Sequence, residues 1–301
     1  MEKEKINLIE EVAKSGTDID EEMVKFLMQE AFLGYKYRKN NHKLYTTDAQ
    51  IPIKLISTYY SLKDRDFDNM KRSFITHYIK NESALEGIDN NAFHGKQEVL
   101  GLEKMYDYIH SDDIDYMFNV YTLKELHEKL CSFTEHPEYG GDFRNYDVYL
   151  PGTGNELSEW RMIRTNLNNL DGEVLSLKDI APSVKNSNDI NLLFQFIERC
   201  VILKCKLIKV HPFGDGNGRT IRGFINKLME DAGLPPIYIK VNERTEYHEA
   251  MNKANNEHDY TDIINFYLYK ICDSIIELDI NSRIKNSECK TVEGNKIYQK
   301  K

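Results

Sequence analysis

The residues best suited to chemistry lie together in residues 211–222, which read His-Pro-Phe-Gly-Asp-Gly-Asn-Gly-Arg-Thr-Ile-Arg. Three glycines in this segment, Gly214, Gly216 and Gly218, let the backbone bend freely and approach a ligand closely. A helix predicted to begin near Asn217 would direct its unpaired N–H groups and the positive end of its dipole into the same space. Together these features predict an anion cradle suited to phosphate groups.

The side chains of the same segment supply the other parts of a phosphate-transfer site. Arg219 and Arg222 are three residues apart and add two fixed positive charges. Asp215 is a lone carboxylate beside phosphate-binding groups, which is how magnesium is usually held. His211, with an ordinary pKa of about 6.5, can act as a neutral base toward an attacking hydroxyl. Phe213 has no reactive group and is predicted to anchor the loop in the core.

The segment is neither a Walker loop nor a Gly-x-Gly-x-x-Gly dinucleotide motif. It resembles the signature of Fic-domain proteins, His-x-Phe-x-(Asp/Glu)-Gly-Asn-Gly-Arg-x-x-Arg, and matches it at every defined position. The resemblance covers roughly residues 70–275 and implies a mainly α fold, a Fic-type helical bundle with a short β-hairpin flap. It also implies transfer of AMP from ATP, with Mg²⁺, to a Ser, Thr or Tyr hydroxyl of a target protein, with release of pyrophosphate.

The same resemblance assigns a role to each residue of the segment. His211 is the base and Asp215 holds the metal. The cradle for the α-phosphate is formed by Gly216, Asn217 and Gly218. The two arginines neutralise the outer phosphates.

A second motif lies upstream, at Asn81–Gly87, which reads Asn-Glu-Ser-Ala-Leu-Glu-Gly. It resembles the inhibitory motif of Fic proteins, (Ser/Thr)-x-x-x-Glu-(Gly/Asn), with Glu86 and Gly87 in place. The first position departs from the motif, because Glu82 stands where Ser or Thr is expected. The nearest hydroxyl belongs to Ser83.

Glu86 precedes His211 by 125 residues, consistent with the class of Fic proteins whose inhibitory helix lies N-terminal to the core. A carboxylate beside Arg222 would form a charge-assisted pair and occupy space needed by the γ-phosphate. The resemblance therefore predicts autoinhibition by Glu86. In some relatives this glutamate also supports removal of AMP, and the same activity is a hypothesis here.

Residues 142–154 depart from helical periodicity. Side chains alternate from Asp142 to Leu150 and lead into the turn composition Pro-Gly-Thr-Gly, which predicts a short hairpin. The resemblance makes this hairpin the flap that aligns the target protein by strand addition. A purely structural connection is the alternative. The predicted docking residues are Asp142, Arg144, Tyr146 and Val148.

Helical periodicity predicts the elements that position these motifs. Residues 190–210 are apolar on nearly all sides, which indicates a buried helix ending where Pro212 disfavours helical geometry at His211. The predicted division is an N-terminal helical region at 1–65, a Fic core with the inhibitory helix at 66–278 and a polar tail at 279–301. Further helices are predicted at residues 17–35, 74–85, 120–133, from 217 onward, 245–256 and 260–277.

Composition bounds the class of protein. The 301 residues are 41% hydrophobic and 30% charged, as in a folded globular protein, and the formal charge of −9 opposes attraction to nucleic acid. No run has the length of a signal peptide or a membrane span, so a cytoplasmic location without membrane partners is expected. Five cysteines without zinc-binding spacing are expected to be free thiols, with Cys200 and Cys205 buried.

Three functions remain distinct at this level: AMP transfer, a related phosphoryl or nucleotidyl transfer, and a binding module without turnover. Gly218 disfavours the phosphotransfer branch of the family, which has Lys at that position, and intact His211 and Asp215 disfavour an inactive module. The expected partners are ATP and a protein with an acceptor hydroxyl. Homo-oligomerisation and self-modification stay open.

Overall fold

The computed structural model describes residues 53, 56–57, 67–87, 93–149, 157–187, 189–275 and 278. Within these ranges the chain is mainly helical and has no strand, which confirms the mainly α fold class. The helix predicted at 17–35, the tail at 279–301 and almost all of the N-terminal region lie outside the described residues. No described helix has the length and apolar character needed to cross a bilayer.

The main helices of the described ranges are numbered here in chain order. Six of them match helices predicted from periodicity, with ends shifted by a few residues, whereas α2 and α4 had no predicted bounds. Short 3-10 turns lie between some of them. The helices are α1 (Phe67–Leu85), α2 (Phe93–Ile109), α3 (Thr122–Cys131), α4 (Ile163–Lys185), α5 (Ile190–Val210), α6 (Asn217–Asp231), α7 (Arg244–Glu257) and α8 (Thr261–Ser274).

Helix α5 ends where the candidate site begins. The Asp189 side chain caps its first turn by accepting from the backbone N–H groups of Asn191 and Leu192, at 2.8 and 3.3 Å. The last residue before the loop, His211, has φ 50° and ψ 62°. This left-handed conformation ends the helix, and the following Pro212 has no N–H with which to continue it.

Helix α6 begins at the other end of the same loop and runs through the core. Gly216, with φ 71°, turns the chain into its first residue. Almost every side chain of α6 is buried, because helices α2, α3, α4 and α5 all pack against it. The loop between α5 and α6 is therefore held at both ends by elements of the core.

The predicted hairpin is not shown. Residues 142–149 form a loop without strand pairing among the described residues, and residues 150–156 lie outside them. Within the described part of this segment, the Arg144 side chain points into the protein and donates to backbone carbonyls. Asp147 Oδ1 accepts from the backbone N–H of Trp160 at 2.9 Å, which ties this loop to the residues that precede α4.

Four cysteines lie within the described ranges, namely Cys131, Cys200, Cys205 and Cys272, and all are free thiols. Cys200 and Cys205 are buried in the core, as predicted. Burial raises the pKa of Cys205 to about 11, so this thiol stays protonated at neutral pH.

The packing of α2 against α3 depends on a glycine, which gives a test of the fold. A Cβ at Gly101 would overlap the backbone carbonyl oxygen of Leu130. Gly101→Ala should therefore lower the free energy of unfolding by roughly 1–3 kcal/mol, as overpacking does. The matched control is Gly172→Ala in α4, where nothing lies within 4 Å of the added Cβ. It should raise the free energy of unfolding by about 0.5–1 kcal/mol through helix propensity. Urea denaturation of both variants measures the difference, and equal effects would contradict the described packing.

Candidate active site

Two hydrogen bonds between Phe213 and Asn217 fix the loop between α5 and α6. Asn217 Oδ1 accepts from the backbone N–H of Phe213 at 2.9 Å, and Asn217 Nδ2 donates to the carbonyl of Phe213 at 2.8 Å. The Asn217 side chain is thus committed to the loop, and only the backbone of this residue is placed to meet an anion. The glycines allow close approach: a Cβ at Gly214 would be 2.8 Å from the Tyr146 hydroxyl.

His127 on α3 contacts this loop and holds it in place. The sequence alone did not identify this residue. Its Nδ1 accepts from the backbone N–H of Gly141 at 2.9 Å, so its Nε2 carries the proton and donates to the carbonyl of Asp215 at 3.1 Å. Its ring stacks on the buried Phe213 ring, with centroids 3.9 Å apart and planes 3° apart. Burial lowers the pKa of His127 to about 4, so it is a neutral structural group. Phe213 anchors the loop in the core, as predicted.

His211 is half-buried at the entrance of the loop. Its carbonyl accepts from Arg144 Nε at 2.8 Å, a contact that holds the residue in its left-handed conformation. Burial, and then the positive charge of Arg144, lower the pKa of His211 below the ordinary value of about 6.5. The imidazole is therefore neutral at physiological pH and able to accept a proton.

The Arg144 side chain points into the protein rather than toward solvent. The side chain is 4% exposed and donates to the carbonyls at the end of α5 and in the neighbouring loops. Its backbone N–H also donates to the Pro212 carbonyl at 2.9 Å. Arg144 therefore joins the loop at 142–149 to the candidate site. Its side-chain acceptors are the carbonyls of His211, Tyr146, Ser158 and Val210.

Both arginines of residues 211–222 are buried and form ion pairs; neither side chain is largely exposed to solvent. Arg219 is 5% exposed and pairs with Glu98 of α2. A second partner is Asp215, at 3.3 Å from Arg219 Nη2. The Asp215 side chain is otherwise open, with 91% of its surface exposed. Arg219 is thus held inside, while the Asp215 carboxylate faces outward.

Arg222 is held by two carboxylates of α1 and the residues just beyond it. Glu86 Oε1 accepts from Arg222 Nη2 at 2.6 Å, and Glu82 Oε1 accepts from Arg222 Nε at 2.5 Å. The burial of Glu86 opposes its ionisation, but the attraction of Arg222 outweighs it, so the pKa of Glu86 lies below its ordinary value. A Cβ at Gly218 would be 2.9 Å from Arg222 Nη1 and 3.2 Å from Glu86 Oε1. The first turn of α6 and the two carboxylates therefore share one space.

The predicted hydroxyl of the inhibitory motif does not take part in this cluster. Ser83 Oγ is buried and has no hydrogen-bond partner among the described residues. The reason is helical geometry: Glu82 and Glu86 are four residues apart and share a face, whereas Ser83 points about 100° away from Glu82. Gly87 has φ 76° and follows the end of α1. It allows the chain to leave the helix directly after Glu86.

A cavity of ≈ 760 Å³ opens beside the loop, and its lining includes Asp142 and Tyr146 together with Gly214, Asp215 and Arg219. The Tyr146 side chain is 54% exposed. Of the predicted docking residues, the structure brings Asp142, Arg144 and Tyr146 to this cavity. Val148 is partly buried and does not line it.

Three supporting residues escaped the sequence analysis. Glu98 and His127 belong to no recognisable motif. Each lies near the site only because its helix packs there. Glu82 did have a signal, because a carboxylate one helical turn before Glu86 must share its face.

Comparison with known proteins finds a family match over the part of the chain that contains the site. Residues 117–229 match the Fic/DOC family. The chain is 29% identical over 171 residues to the protein adenylyltransferase Fic of Aedes aegypti, covering 56% of this chain and 31% of the relative. It is 30% identical over 165 residues to the protein adenylyltransferase Fic of Nematostella vectensis, covering 53% of this chain and 34% of the relative. The chain thus spans about a third of the length of these curated relatives.

Solved structures support the same fold. Fic-1 from C. elegans has a TM-score of 0.59 at 19% identity, covering 94% of this chain and 93% of that one. A Fic domain containing signaling protein from Bacteroides thetaiotaomicron has a TM-score of 0.55 at 18% identity, covering 76% of this chain and 96% of that one. The loop, its histidine and its two buried arginines all lie within residues 117–229, the part of this chain that matches the Fic/DOC family.

Proposed function

We propose that this protein is an adenylyltransferase that moves AMP from ATP to a hydroxyl of a target protein. The observation that carries the proposal is the site at the start of α6. There, two buried guanidinium groups lie beside a glycine-containing loop that the Asn217 side chain closes by hydrogen bonds, and beside a half-buried neutral histidine. The likeness to proteins named adenylyltransferases supports it.

In the proposed reaction the backbone of the loop and the first turn of α6 bind the α-phosphate, and the guanidinium groups bind the outer phosphates. A target hydroxyl oxygen attacks the α-phosphorus while His211 accepts its proton. The new oxygen–phosphorus bond forms as the bond from the α-phosphorus to the bridging oxygen breaks, and pyrophosphate leaves. The loop is already ordered, so little reorganisation is required during the reaction.

Asp215 is the residue that would hold magnesium. Its exposed carboxylate borders the cavity beside Arg219. No cluster of three or more potential metal ligands exists among the described residues, and Asp215 is the carboxylate within residues 211–222. This set fits Mg²⁺, which is commonly bound through one or two carboxylates together with substrate phosphates and water. When bound, the ion would neutralise phosphate charge.

The target protein would approach across the cavity that Asp142 and Tyr146 border. An extended loop at 142–149 could pair its backbone with a target segment, which is the recognition mode expected of a flap. Arg144 would serve this role indirectly, since its contacts connect the loop to His211 and Pro212.

Glu86 would inhibit the enzyme from a helix N-terminal to the Fic core. Its carboxylate bonds the arginine that a terminal phosphate would need, so nucleotide and Glu86 compete for Arg222. Removal of AMP from a modified target would be a further activity of the same glutamate, and incubation with AMP-modified target tests it directly.

Glu86→Gly should raise AMP transfer by about tenfold or more, because a loss of roughly 1.4 kcal/mol of competing interaction corresponds to that factor. Glycine is tolerable there because α1 ends at Leu85. The measurement uses ATP labelled at either the α- or the γ-phosphate and counts label on protein. Label from the α position alone is expected.

Two companion variants define the result. Glu86→Gln keeps the size of the side chain and removes its charge, so it should also activate. Combining Glu86→Gly with His211→Ala should abolish transfer. Label from the γ-phosphate would show phosphoryl transfer and overturn the proposal, as would undiminished transfer without His211.

The pH profile gives a separate test of His211. The base must be neutral, so kcat/KM falls as pH drops through its pKa. Because burial and Arg144 lower that pKa, the acidic limb of the Glu86→Gly variant should lie below pH about 6.5. His110→Gln is the control, since His110 bonds Glu230 at 2.9 Å rather than any residue of the loop. The control substitution should leave the acidic limb of the pH profile at the same pH. A limb at or above the ordinary histidine value would contradict the assignment.

A further inference from the structure

Glu82 lies in a position unlike that of the exposed carboxylates around the site. It is fully buried, at 0% exposure, and its Oε1 accepts from Arg222 Nε at 2.5 Å, while the same oxygen also contacts Nη2. Its other oxygen, Oε2, is buried and has no hydrogen-bond partner among the described residues. A carboxylate held in this way is committed to Arg222.

Glu86 and Glu82 differ in how easily each carboxylate can separate from Arg222. The Glu86 side chain is 36% exposed and lies beyond the last residue of α1, so water can replace its contact. Glu82 lies within α1 and cannot reach water without movement of the helix. When Glu86 leaves, Arg222 therefore keeps one carboxylate, and the charge of the remaining pair sums to zero.

We propose that Glu82 is a specificity-determining residue that sets the charge available on Arg222 from inside the core. This inference rests on the proposed function, because it concerns the arginine assigned to a terminal phosphate. When Glu82 is charged, its negative charge cancels the positive charge of Arg222. The attraction of Arg222 for a terminal phosphate is then weaker, and so is the preference of the site for a triphosphate over a monophosphate. Loss of Glu86 alone then gives only part of the attainable activation.

The charge of Glu82 depends on its surroundings, and loss of the neighbouring Glu86 charge favours the ionised form. Burial, which outweighs the attraction of Arg222, raises the pKa of Glu82 above its ordinary value. The two carboxylates also repel each other through their shared partner.

The test compares nucleotide affinities of the full chain, with His211→Ala added throughout to prevent turnover. Isothermal titration gives Kd for ATP with magnesium and for AMP with magnesium. Adding Glu82→Gln to Glu86→Gly should increase the ratio of the AMP Kd to the ATP Kd by about tenfold, because the terminal phosphate then meets an uncompensated guanidinium. Glutamine preserves the shape of the side chain and can still accept from Arg222 Nε.

The control is Glu243→Gln, which changes another buried carboxylate, one that bonds Lys270 at 3.0 Å. It should alter thermal stability without changing the ratio. Glu82→Thr, which restores the residue type of the inhibitory motif, is the second variant if Glu82→Gln does not fold. An unchanged ratio in a folded Glu82 variant overturns the inference, as does an equal change in the control.

Label transfer separates this inference from the proposed function. With His211 restored, transfer from α-labelled ATP by Glu86→Gly, with no further gain from Glu82→Gln, would preserve the function and reject the role of Glu82. A changed affinity ratio without any transfer would preserve the role of Glu82 and reject the transferase. Failure of every variant to bind either nucleotide would overturn both.

Discussion

The burial of two positive charges at the start of α6 is the constraint on which the rest of the site depends. Arg219 and Arg222 are 5% and 6% exposed, and a buried charge without a partner costs several kcal/mol. The protein meets this cost with carboxylates from outside α6. Glu98 compensates Arg219, and Glu82 and Glu86 compensate Arg222. The packing of α1 and α2 around α6 is therefore tied to the electrostatics of the site.

The loop in front of these arginines is ordered by contacts that involve no ligand. The Asn217 side chain closes the loop on Phe213, and His127 bonds it from α3. Arg144 holds the carbonyl of His211. Because α5 ends and α6 begins at this loop, His211 and the backbone at the start of α6 keep a fixed relation. Such preorganisation is what electrostatic catalysis requires, since fixed dipoles need not reorient as charge develops.

Part of this arrangement could be predicted from the sequence, because residues 211–222 are contiguous and their spacing encodes their geometry. The fold class and six helices followed from periodicity for a similar reason. Residues that act through packing could not be found this way. His127 occupies an ordinary position on the inner face of α3, and only the neighbouring loop gives it a role.

Two predicted residues have surroundings that the sequence did not indicate. Arg144 was predicted to take part in target docking, and its side chain points inward to the carbonyls of His211, Tyr146 and Val210. Ser83 was included because a hydroxyl was expected in the motif, whereas helical geometry gives that place to Glu82. For Arg144, a local pattern was outweighed by hydrogen bonding to buried carbonyls, whereas Ser83 Oγ is buried without a hydrogen-bond partner among the described residues.

The same electrostatic requirement accounts for the carboxylates that hold Arg222. A buried arginine needs an anion whenever phosphate is absent, because removing one partner of a buried pair typically costs about 3–5 kcal/mol. In the proposed function, Glu86 supplies that anion and by doing so would block a terminal phosphate. Autoinhibition would then follow from the stability of the empty site. A second, more deeply buried carboxylate would let the outer one leave at lower cost, because Arg222 would still have a charged partner. On this proposal Glu82 makes Glu86 dispensable for folding, which would leave Glu86 free to respond to nucleotide or to a partner.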